Sequence, residues 1–367
     1  DHRDELLIHS RSVLVAVSAT QADLSTEVRA ALAEANIAEQ ALACLLASEQ
    51  DMAAPALHQA ARALDVPLRF AAPAGSLQSM VAQVLPEAQT LAVSNVVIAA
   101  TPAPIEVAKV GRVRGRLAVI GLGPGAAELM VPAVKAELAR AEDVLGYETY
   151  VRMAGPFRAD QVLHCTDNRE EMQRARHAFE LAASGRSVVV VSSGDPGVFA
   201  MAAAVLEALH ESSDPAWHRI DLEILPGVSA SLATAAQAGA PLGHDFCVMS
   251  LSDNLKPWSI IEKRLDLAAQ ADLVLAFYNP ISKSRPTQLG VALDIVRRHR
   301  QGQTPVVLGR DIGRPGQTLR VVTLAELQPE MVDMRTMVLI GSSLTCTFAR
   351  DGGGQWVYTP RWYGQKP

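Results

Sequence analysis

The run of four valines from Val188 to Val191 places the strongest constraint on the fold of this chain. Consecutive β-branched residues favour a strand that is covered on both faces, as strands are in parallel α/β sheets. A tight turn, Ser192-Ser193-Gly194-Asp195-Pro196-Gly197, follows the valines, and an alanine-rich segment after it predicts a helix. Because open α/β sheets bind ligands at the carboxyl ends of their strands, the turn is a candidate binding loop.

Two roles are open for this turn. Gly194 lets a ligand approach the backbone closely, and the carboxylate of Asp195 can accept hydrogen bonds from a ribose diol. The alternative is a structural corner in which Asp195 caps the following helix. The turn alone supports either role.

Composition excludes several classes of protein. The net charge of −6 argues against a nucleic-acid-binding protein, which usually has a basic excess. The four cysteines are far apart and form no CxxC or Cys/His cluster, so we expect free thiols, no metal site and a reducing cytoplasm. No apolar run approaches the ~18 residues that span a membrane, and the first residues lack signal-peptide character.

The pattern of apolar segments predicts an α/β fold with two α/β halves, a cleft between them and a small N-terminal α/β domain. The boundaries that we predict are 1–108 for the small domain, 109–115 for a basic linker, 116–240 for the first half and 241–367 for the second. The predicted strands cover residues 13–17, 67–71, 96–100, 117–120, 143–145, 188–191, 222–225, 246–250, 273–278, 305–308 and 337–340. The predicted helices cover 23–35, 54–64, 79–85 and 126–142, whereas 41–47 fits either a strand or a helix.

A glycine loop follows the predicted strand 117–120. Gly121, Gly123 and Ala126 fit the dinucleotide fingerprint G-x-G-x-x-G/A, so a nicotinamide-dependent dehydrogenase is one alternative. However, the acidic pair Glu142-Asp143 precedes the next strand, whereas a ribose-binding acid should end it. Pro124 also removes a backbone N–H where a pyrophosphate needs donors. A plain strand-to-helix turn explains the loop equally well.

Three turns rich in small residues occur in a fixed order, at residues 121–125, 192–199 and 226–230. With this order and spacing, the chain resembles the tetrapyrrole (precorrin) methyltransferases over about residues 116–364. Further stretches resemble the branch of that family that methylates carbon 17 of precorrin-3B, and these are residues 144–150, 250–258, 277–280, 282–285, 341–345 and 359–361. Local departures from the family pattern occur at Pro196, Phe199, Ser342 and Cys346.

The resemblance implies an S-adenosylmethionine-dependent enzyme of cobalamin biosynthesis that releases S-adenosylhomocysteine. Its implied reaction converts precorrin-3B to precorrin-4 by methylation and ring contraction. The resemblance also implies a homodimer with hand-over contacts to neighbouring enzymes of the pathway, and neither nucleic acid nor membrane is expected as a partner. A metal-free and a cobalt-bearing substrate fit equally. The alternatives are methylation at another carbon of a precorrin and a non-catalytic tetrapyrrole carrier.

The N-terminal segment is similar to a small domain of other cobalamin-pathway proteins, including the lactone-opening protein. Those domains carry Gly-Cys-Arg-Arg-Gly after their first strand, where this chain has Val17-Ser18-Ala19-Thr20. We therefore expect a structural or substrate-handling role for this domain.

The resemblance also implies a set of site residues. The predicted donor-binding residues are Gly194, Asp195, Val198, Phe199, Ser229, Ala230, Asn279, Gly309 and Arg310. A helix cap remains an alternative role for Ser229, and a simple turn remains one for Asn279.

The tetrapyrrole substrate of this family carries many carboxylates, which call for arginine and lysine. The predicted substrate-binding residues are Gly123, Pro124, Lys283, Arg285 and Arg314. For the charged ones, a solvated surface position is the alternative. Asp253 and Lys256, in a polar run after a predicted strand, are the first candidates for the acid–base chemistry of ring contraction, with loop capping as the alternative role. His164 and His244 are further candidates.

Overall fold

The structure is a computed structural model that describes residues 9–20, 23–167 and 170–363. Its strands form three five-stranded sheets and one three-stranded sheet. The strands are β1 Val13–Ala16, β2 Leu42–Ser48, β3 Leu68–Ala71, β4 Gln89–Val93, β5 Val96–Ala100, β6 Arg116–Gly121, β7 Asp143–Tyr147, β8 Val162–Thr166, β9 Ser187–Ser192, β10 Asp221–Leu225, β11 Gly239–Ala240, β12 Phe246–Ser250, β13 Val274–Tyr278, β14 Pro305–Arg310, β15 Thr318–Thr323, β16 Thr336–Ile340, β17 Cys346–Ala349 and β18 Gln355–Tyr358. The helices are α1 Leu24–Glu34, α2 Pro55–Ala63, α3 Leu77–Val84, α4 Pro132–Arg140, α5 Glu148–Ala154, α6 Glu171–Ala183, α7 Met201–Glu211, α8 Pro215–His218, α9 Ala230–Ala238, α10 Trp258–Gln270 and α11 Gln288–Arg297.

The first sheet has the strand order β3-β2-β1-β5-β4 and is built from residues 13–100. Its strands β1, β2 and β3 are parallel, and the hairpin of β4 and β5 is antiparallel to β1. The segment that fitted either a strand or a helix is β2, which is buried over all but its last residue. Asp23 caps α1, as its sequence position predicts, because its carboxylate accepts a hydrogen bond from the N–H of Thr26 at 3.2 Å.

The second sheet has the order β10-β6-β9-β7-β8, and all its strands are parallel. The valine run forms the central strand β9, in which Val188 to Val191 are at most 1% exposed. Helices on both faces cover these side chains, so the predicted buried strand is confirmed. The helix predicted over 126–142 is wrong at its start, since a single 3-10 turn at Ala127–Leu129 comes first and α4 begins only at Pro132.

The third sheet has the order β12-β13-β16-β14-β15 and mixes orientations. Only β12 and β13 are parallel neighbours, whereas β13, β16, β14 and β15 pair antiparallel. This half is therefore built on a mixed sheet, whereas the sheet of the first half is all parallel. A hairpin joins β14 to β15, and a short connection of that kind makes neighbouring strands antiparallel. The small sheet β11-β18-β17 completes this half.

Three glycines bring the strand ends of the second sheet into contact. A methyl group on Gly227 would lie 2.2 Å from the carbonyl oxygen of Gly194 and 2.6 Å from that of Gly121. A methyl group on Gly121 would lie 2.4 Å from the Gly194 oxygen. Any side chain at Gly121 or Gly227 would therefore force the backbones apart, so these two positions require glycine.

The predicted linker 109–115 is an ordered connection with specific contacts. The guanidinium of Arg112 donates to Glu49 in the first sheet's unit and to the carbonyl oxygen of Ala183, both at 3.1 Å. Arg114 donates through Nε to the carbonyl oxygen of Arg219 at 2.7 Å. The N-terminal unit is thus held to the chain that follows it by backbone and charged contacts.

These contacts lie at the amino ends of the strands of the second sheet. Ala183 ends α6 shortly before β9 begins, and Arg219 precedes β10. The glycine contact lies at the opposite, carboxyl ends of the same strands, and the six residues of β6 separate the two edges by ~20 Å. The N-terminal unit is therefore anchored at the edge that the glycine loops do not occupy.

This arrangement predicts that residues 116–367 bind ligand without the N-terminal unit. We expect S-adenosylhomocysteine to bind the truncated chain within about two-fold of its affinity for the whole chain, because distant sites without shared partners contribute independently. Isothermal titration of both chains measures this. A folded truncated chain, checked by circular dichroism, that no longer binds would mean that the N-terminal unit completes the site.

Candidate active site

The loops that follow β6 and β9 are bonded to each other. The N–H of Gly123 donates to the carbonyl oxygen of Gly194 at 3.1 Å, and the N–H of Gly194 donates back to Gly123 at 2.7 Å. Both glycines have positive φ, +74° and +71°, a conformation that few other residues adopt. The predicted binding turn therefore has a fixed shape, which is set by a second loop.

Asp195 fastens this turn to the loop after β10. Its Oδ1 accepts a hydrogen bond from the N–H of Gly197 at 2.8 Å, and its Oδ2 accepts one from the N–H of Gly227 at 3.0 Å. The following helix α7 starts at Met201 with Ala200 at the cap position, so the alternative of Asp195 as its cap is wrong. A contact between Asp195 and a ribose remains a prediction, and the carboxylate is already held in place for one.

The turn ends in an aromatic side chain that is presented to solvent. Phe199 has φ +54° and is 52% exposed. An aromatic residue in the left-handed region is rare and strained, and such strain concentrates at functional sites. The N–H of Val198 donates to the carbonyl oxygen of Asp195 at 3.2 Å, which closes the turn before Phe199. The ring of Phe199 lies 5.4 Å from the ring of Tyr278 at an interplanar angle of 60°.

Tyr278, at the end of β13, is bonded to the first turn of α9, which packs on the third sheet. Its hydroxyl accepts a hydrogen bond from the N–H of Ser231 at 3.1 Å and donates to the Ser231 hydroxyl at 3.2 Å. Ser231 lies in the first turn of α9, where Ala230 is the first helical residue. The hydroxyl of Ser229 caps this helix by accepting from the N–H of Leu232, so the cap predicted as the alternative for Ser229 is confirmed.

The next group is centred on Arg285, which is buried. One guanidinium nitrogen donates to the carbonyl oxygens of Leu251 and Asn279, both at 3.1 Å. Asn279 has φ +51°, and its amide donates to the hydroxyl of Ser250 at 3.0 Å. The Nε of Arg285 lies 3.7 Å from a carboxylate oxygen of Asp253. Arg285 thus ties the loops after β12 and β13 together, and a contact with substrate through it is still a prediction.

Lys256 lines a cavity of about 430 Å³ between β12 and α10. Phe199 and Ser250 line the same cavity, which therefore adjoins the loops described above. Burial and the positive charge of Arg264 lower the pKa of Lys256. In the described part of the chain, no hydrogen bond or ion pair joins Lys256 to Asp253, so the two predicted acid–base residues do not form a direct pair.

Arg314 reaches from the second half into the first. Its Nε donates to the carbonyl oxygen of Pro124 at 2.9 Å, and its terminal nitrogen donates to the hydroxyl of Ser193 at 3.1 Å. Gly123 and Pro124 are buried at this contact. These predicted substrate-binding residues therefore hold two site loops together, whether or not they also touch substrate.

The remaining predicted residues occupy different surroundings. Gly309 packs β14 against α9, since a methyl group there would lie 2.4 Å from a side-chain carbon of Thr234. Arg310 pairs with Asp333 at 2.8 Å and with Asp311 at 3.0 Å. Lys283 is exposed in the loop that precedes α11. The ion pairs of Arg310 and the exposed position of Lys283 do not direct either side chain toward the loop cluster.

The two histidine candidates contact residues away from the loop cluster. His164, in the edge strand β8, lies 2.8 Å from a carboxylate oxygen of Asp143 and 3.3 Å from His177. The ring of His244 lies 4.9 Å from the ring of Tyr363. The contacts of both histidines are therefore with residues that support the fold.

Sequence reasoning assigned no role to Tyr278, Ser231, Ser193 or Arg264. Tyr278 and Ser193 lie in two of the stretches that carried the resemblance, 277–280 and 192–199, which was the one available signal. Ser231 and Arg264 become visible only in the folded structure. Within residues 9–20, 23–167 and 170–363, no group of three or more His, Cys, Asp or Glu side chains could hold a metal ion. Over the same described ranges, no helix is long and apolar enough to cross a membrane.

The dehydrogenase alternative is wrong. In a dinucleotide fold the helix that follows the glycines points its N-terminus at the pyrophosphate. Here Gly123 is bonded to Gly194, and α4 begins only at Pro132, after an intervening 3-10 turn. The glycine loop therefore serves to shape its neighbour.

Comparisons with known proteins agree with this geometry. Residues 116–328 match the family of tetrapyrrole (corrin/porphyrin) methylases. A precorrin-3B C(17)-methyltransferase of Sinorhizobium sp is 50% identical over 249 residues, which cover 68% of this chain and 97% of that protein. A probable cobalt-factor III C(17)-methyltransferase of Salmonella typhimurium strain LT2 is 39% identical over 249 residues, which cover 67% of this chain and 99% of that protein.

Among solved structures, the crystal structure of the methyltransferase CobJ is similar, with a TM-score of 0.63 and 52% sequence identity. That similarity covers 67% of this chain and 100% of the CobJ chain. The loops built on β6, β9, β10 and β13 all lie within the matched family region. This chain therefore belongs to the tetrapyrrole methylase family.

Proposed function

We propose that the protein transfers a methyl group from S-adenosylmethionine to carbon 17 of precorrin-3B, with ring contraction to precorrin-4, in cobalamin biosynthesis. The observation that carries the proposal is the 50% identity to the Sinorhizobium enzyme over nearly its whole length. The proposal thus assigns to this chain the activity for which that relative is named.

The loop cluster offers a suitable place for the donor. When bound, S-adenosylmethionine supplies a methyl group that its sulfonium already activates, so the protein has chiefly to position donor and acceptor. Gly194 leaves the backbone open to a ligand, Asp195 is held rigidly beside it, and Phe199 presents an aromatic face. Asn279, Ser229 and Ala230 close the cluster from the second half and α9, and the Gly309-Arg310 strand end packs behind them.

Asp253 and Lys256 are the residues that we propose for the proton movements of ring contraction. Both lie in the loop after β12, and Asp253 is partly exposed, so it is accessible to a ligand. The lowered pKa of Lys256 favours an amine that can exchange a proton. Lys283, Arg285 and Arg314 remain the proposed partners of the carboxylates of the substrate, with Gly123 and Pro124 shaping the floor beside them.

Further parts of the proposal concern the setting of the enzyme. We propose a cytoplasmic homodimer that passes its product to neighbouring enzymes of the pathway, and a supporting role for the N-terminal unit. Relatives named for precorrin-3B and for cobalt-factor III both cover this domain, so either a metal-free or a cobalt-bearing substrate fits. Mass spectrometry of the tetrapyrrole that copurifies with the protein separates these two substrates.

The test of the function is turnover. The purified chain, incubated with S-adenosylmethionine and precorrin-3B, should yield a product that is heavier by one methyl group and has the absorption spectrum of a contracted ring. Binding of precorrin-3B without any turnover would instead support a tetrapyrrole carrier. Methylation at another carbon, located by NMR, would identify a different precorrin methyltransferase.

Replacing Asp195 should weaken binding of the donor. We expect Asp195→Ala to reduce the affinity for S-adenosylhomocysteine by roughly 1–3 kcal/mol, because two backbone amides lose a charged acceptor and the turn loosens. Isothermal titration measures the affinity. Asp214→Ala is the matched control, since Asp214 also accepts from a backbone amide but caps α8 outside the loop cluster. Equal affinities of Asp195→Ala and the unaltered chain would contradict the assignment.

Replacing Asp253 should separate chemistry from binding of the donor. We expect Asp253→Asn to bind S-adenosylhomocysteine normally and to turn over roughly 10²–10⁴ times more slowly, the usual loss of a general acid or base. Single-turnover kinetics with product analysis measure the rate, and a methylated but uncontracted product would locate the defect. Asp245→Asn is the control at the other end of β12, where the carboxylate is 84% exposed. Unchanged turnover would refute the role of Asp253.

A further inference from the structure

The cavity between β12 and α10 combines an apolar lining with an unpaired positive rim. Met249, Ile261, Ala268 and Leu273 contribute to its apolar wall. Its volume of about 430 Å³ lies within the ~300–1,000 Å³ that is usual for small-molecule sites. β12 is the edge strand of its sheet, so none of the strands that the structure describes covers this side of the cavity.

Two cations line this cavity together, Lys256 from the loop after β12 and Arg264 from α10. Among the residues that the structure describes, neither has an acidic or hydrogen-bonding partner. Burial and the nearby charge of Arg264 lower the pKa of Lys256. Two like charges that share an apolar cavity without a counter-ion favour a ligand that brings negative charge.

The position of the cavity connects it to the loop cluster. Phe199, which ends the turn after β9, lines it, and so does Ser250, whose hydroxyl accepts a hydrogen bond from Asn279. A ligand in the cavity therefore lies against the same loops that we propose for the donor. Its chemistry must combine an apolar ring edge for the wall with a carboxylate for the rim.

From this juxtaposition we propose that Arg264 is a specificity-determining residue, which binds an acid side chain of the tetrapyrrole while the apolar wall between β12 and α10 receives the edge of the adjoining pyrrole ring. This inference rests on the proposed function for the class of ligand. Arg264 is suited to this role because its planar guanidinium matches a carboxylate in a bidentate pair. Lys256 stands across the same cavity, so an acid side chain held by Arg264 also neutralises the surroundings of Lys256.

The experiment measures binding of a stable, carboxylate-rich porphyrin to the full chain. Uroporphyrin III is titrated in the presence of S-adenosylhomocysteine, and quenching of its fluorescence gives the dissociation constant. We expect Arg264→Ala to weaken binding roughly ten-fold, as the loss of one charge-assisted pair does, and Arg264→Glu to weaken it further. Arg264→Lys should recover part of the affinity because it keeps the charge and loses the planar fork.

Three controls make the result specific. Lys263→Ala removes an exposed charge one residue away on α10 and should leave the affinity for uroporphyrin III unchanged. Coproporphyrin III keeps the ring and carries fewer carboxylates, so its binding should depend less on Arg264. The affinity for S-adenosylhomocysteine should stay the same in every variant, which shows that the donor site is intact.

Two outcomes would overturn the proposal. They are unchanged porphyrin binding by Arg264→Glu and an equal loss in Lys263→Ala. If unchanged binding is accompanied by a change in the oligomeric mass of Arg264→Glu, the cavity is covered by a second copy of the chain. Failure of the proposed function is measured separately, as the absence of precorrin-3B turnover by the unaltered protein. The porphyrin titration can be interpreted whatever the result of that assay.

Discussion

The close approach of three backbones at Gly121, Gly194 and Gly227 is the constraint on which the site depends. The strands β6, β9 and β10 end within contact of one another because two of these positions have no room for a side chain. Asp195 then adds a charged fastening across the same junction by accepting from the N–H of Gly227. Without the glycine contact, the loops after these strands would separate, and neither the turn before Phe199 nor the N-terminus of α9 would keep its place.

Backbone strain accompanies this constraint. Phe199, Asn279 and Asp311 all have φ between +51° and +54°, and each lies in a loop that borders the cluster or its strand ends. A non-glycine residue in this region costs on the order of 1 kcal/mol or more, so the surrounding contacts must hold it there. Arg285 and Ser250 supply those contacts for Asn279, the ring of Tyr278 supplies one for Phe199, and Arg335 supplies them for Asp311. The site thus gains fixed geometry at some cost in stability.

The interior strands of the fold were predictable from the sequence, whereas of its edge strands only β3, β10 and β12 were predicted. The valine run and the other apolar segments correspond to β1, β6, β9, β13 and β16, which are buried in their sheets. The strands that the sequence pattern missed include β4, β8, β15 and β17, which are edge strands with exposed or half-exposed residues. An edge strand shows no continuous apolar run because one side of its backbone has no neighbour and its faces are only partly covered.

The candidate site shows the same division. Loops that follow buried strands were predicted as binding loops, because strand position alone fixes which residues come next. The partners of individual side chains were not predicted: Arg285 is buried against two carbonyl oxygens, and Tyr278 bonds to Ser231. Tyr278 and Ser231 are 47 residues apart in the sequence, and no local sequence pattern predicts a contact over such a distance.

The bonds that Arg314 makes across the two halves have a consequence for ligand exchange. Arg314 holds the second half to the glycine loop and to Ser193. Opening the cleft by rotating the halves apart would break both bonds at once and leave a guanidinium without acceptors. We therefore expect reactants to enter and leave past the tips of the loops while the two halves keep their relative orientation.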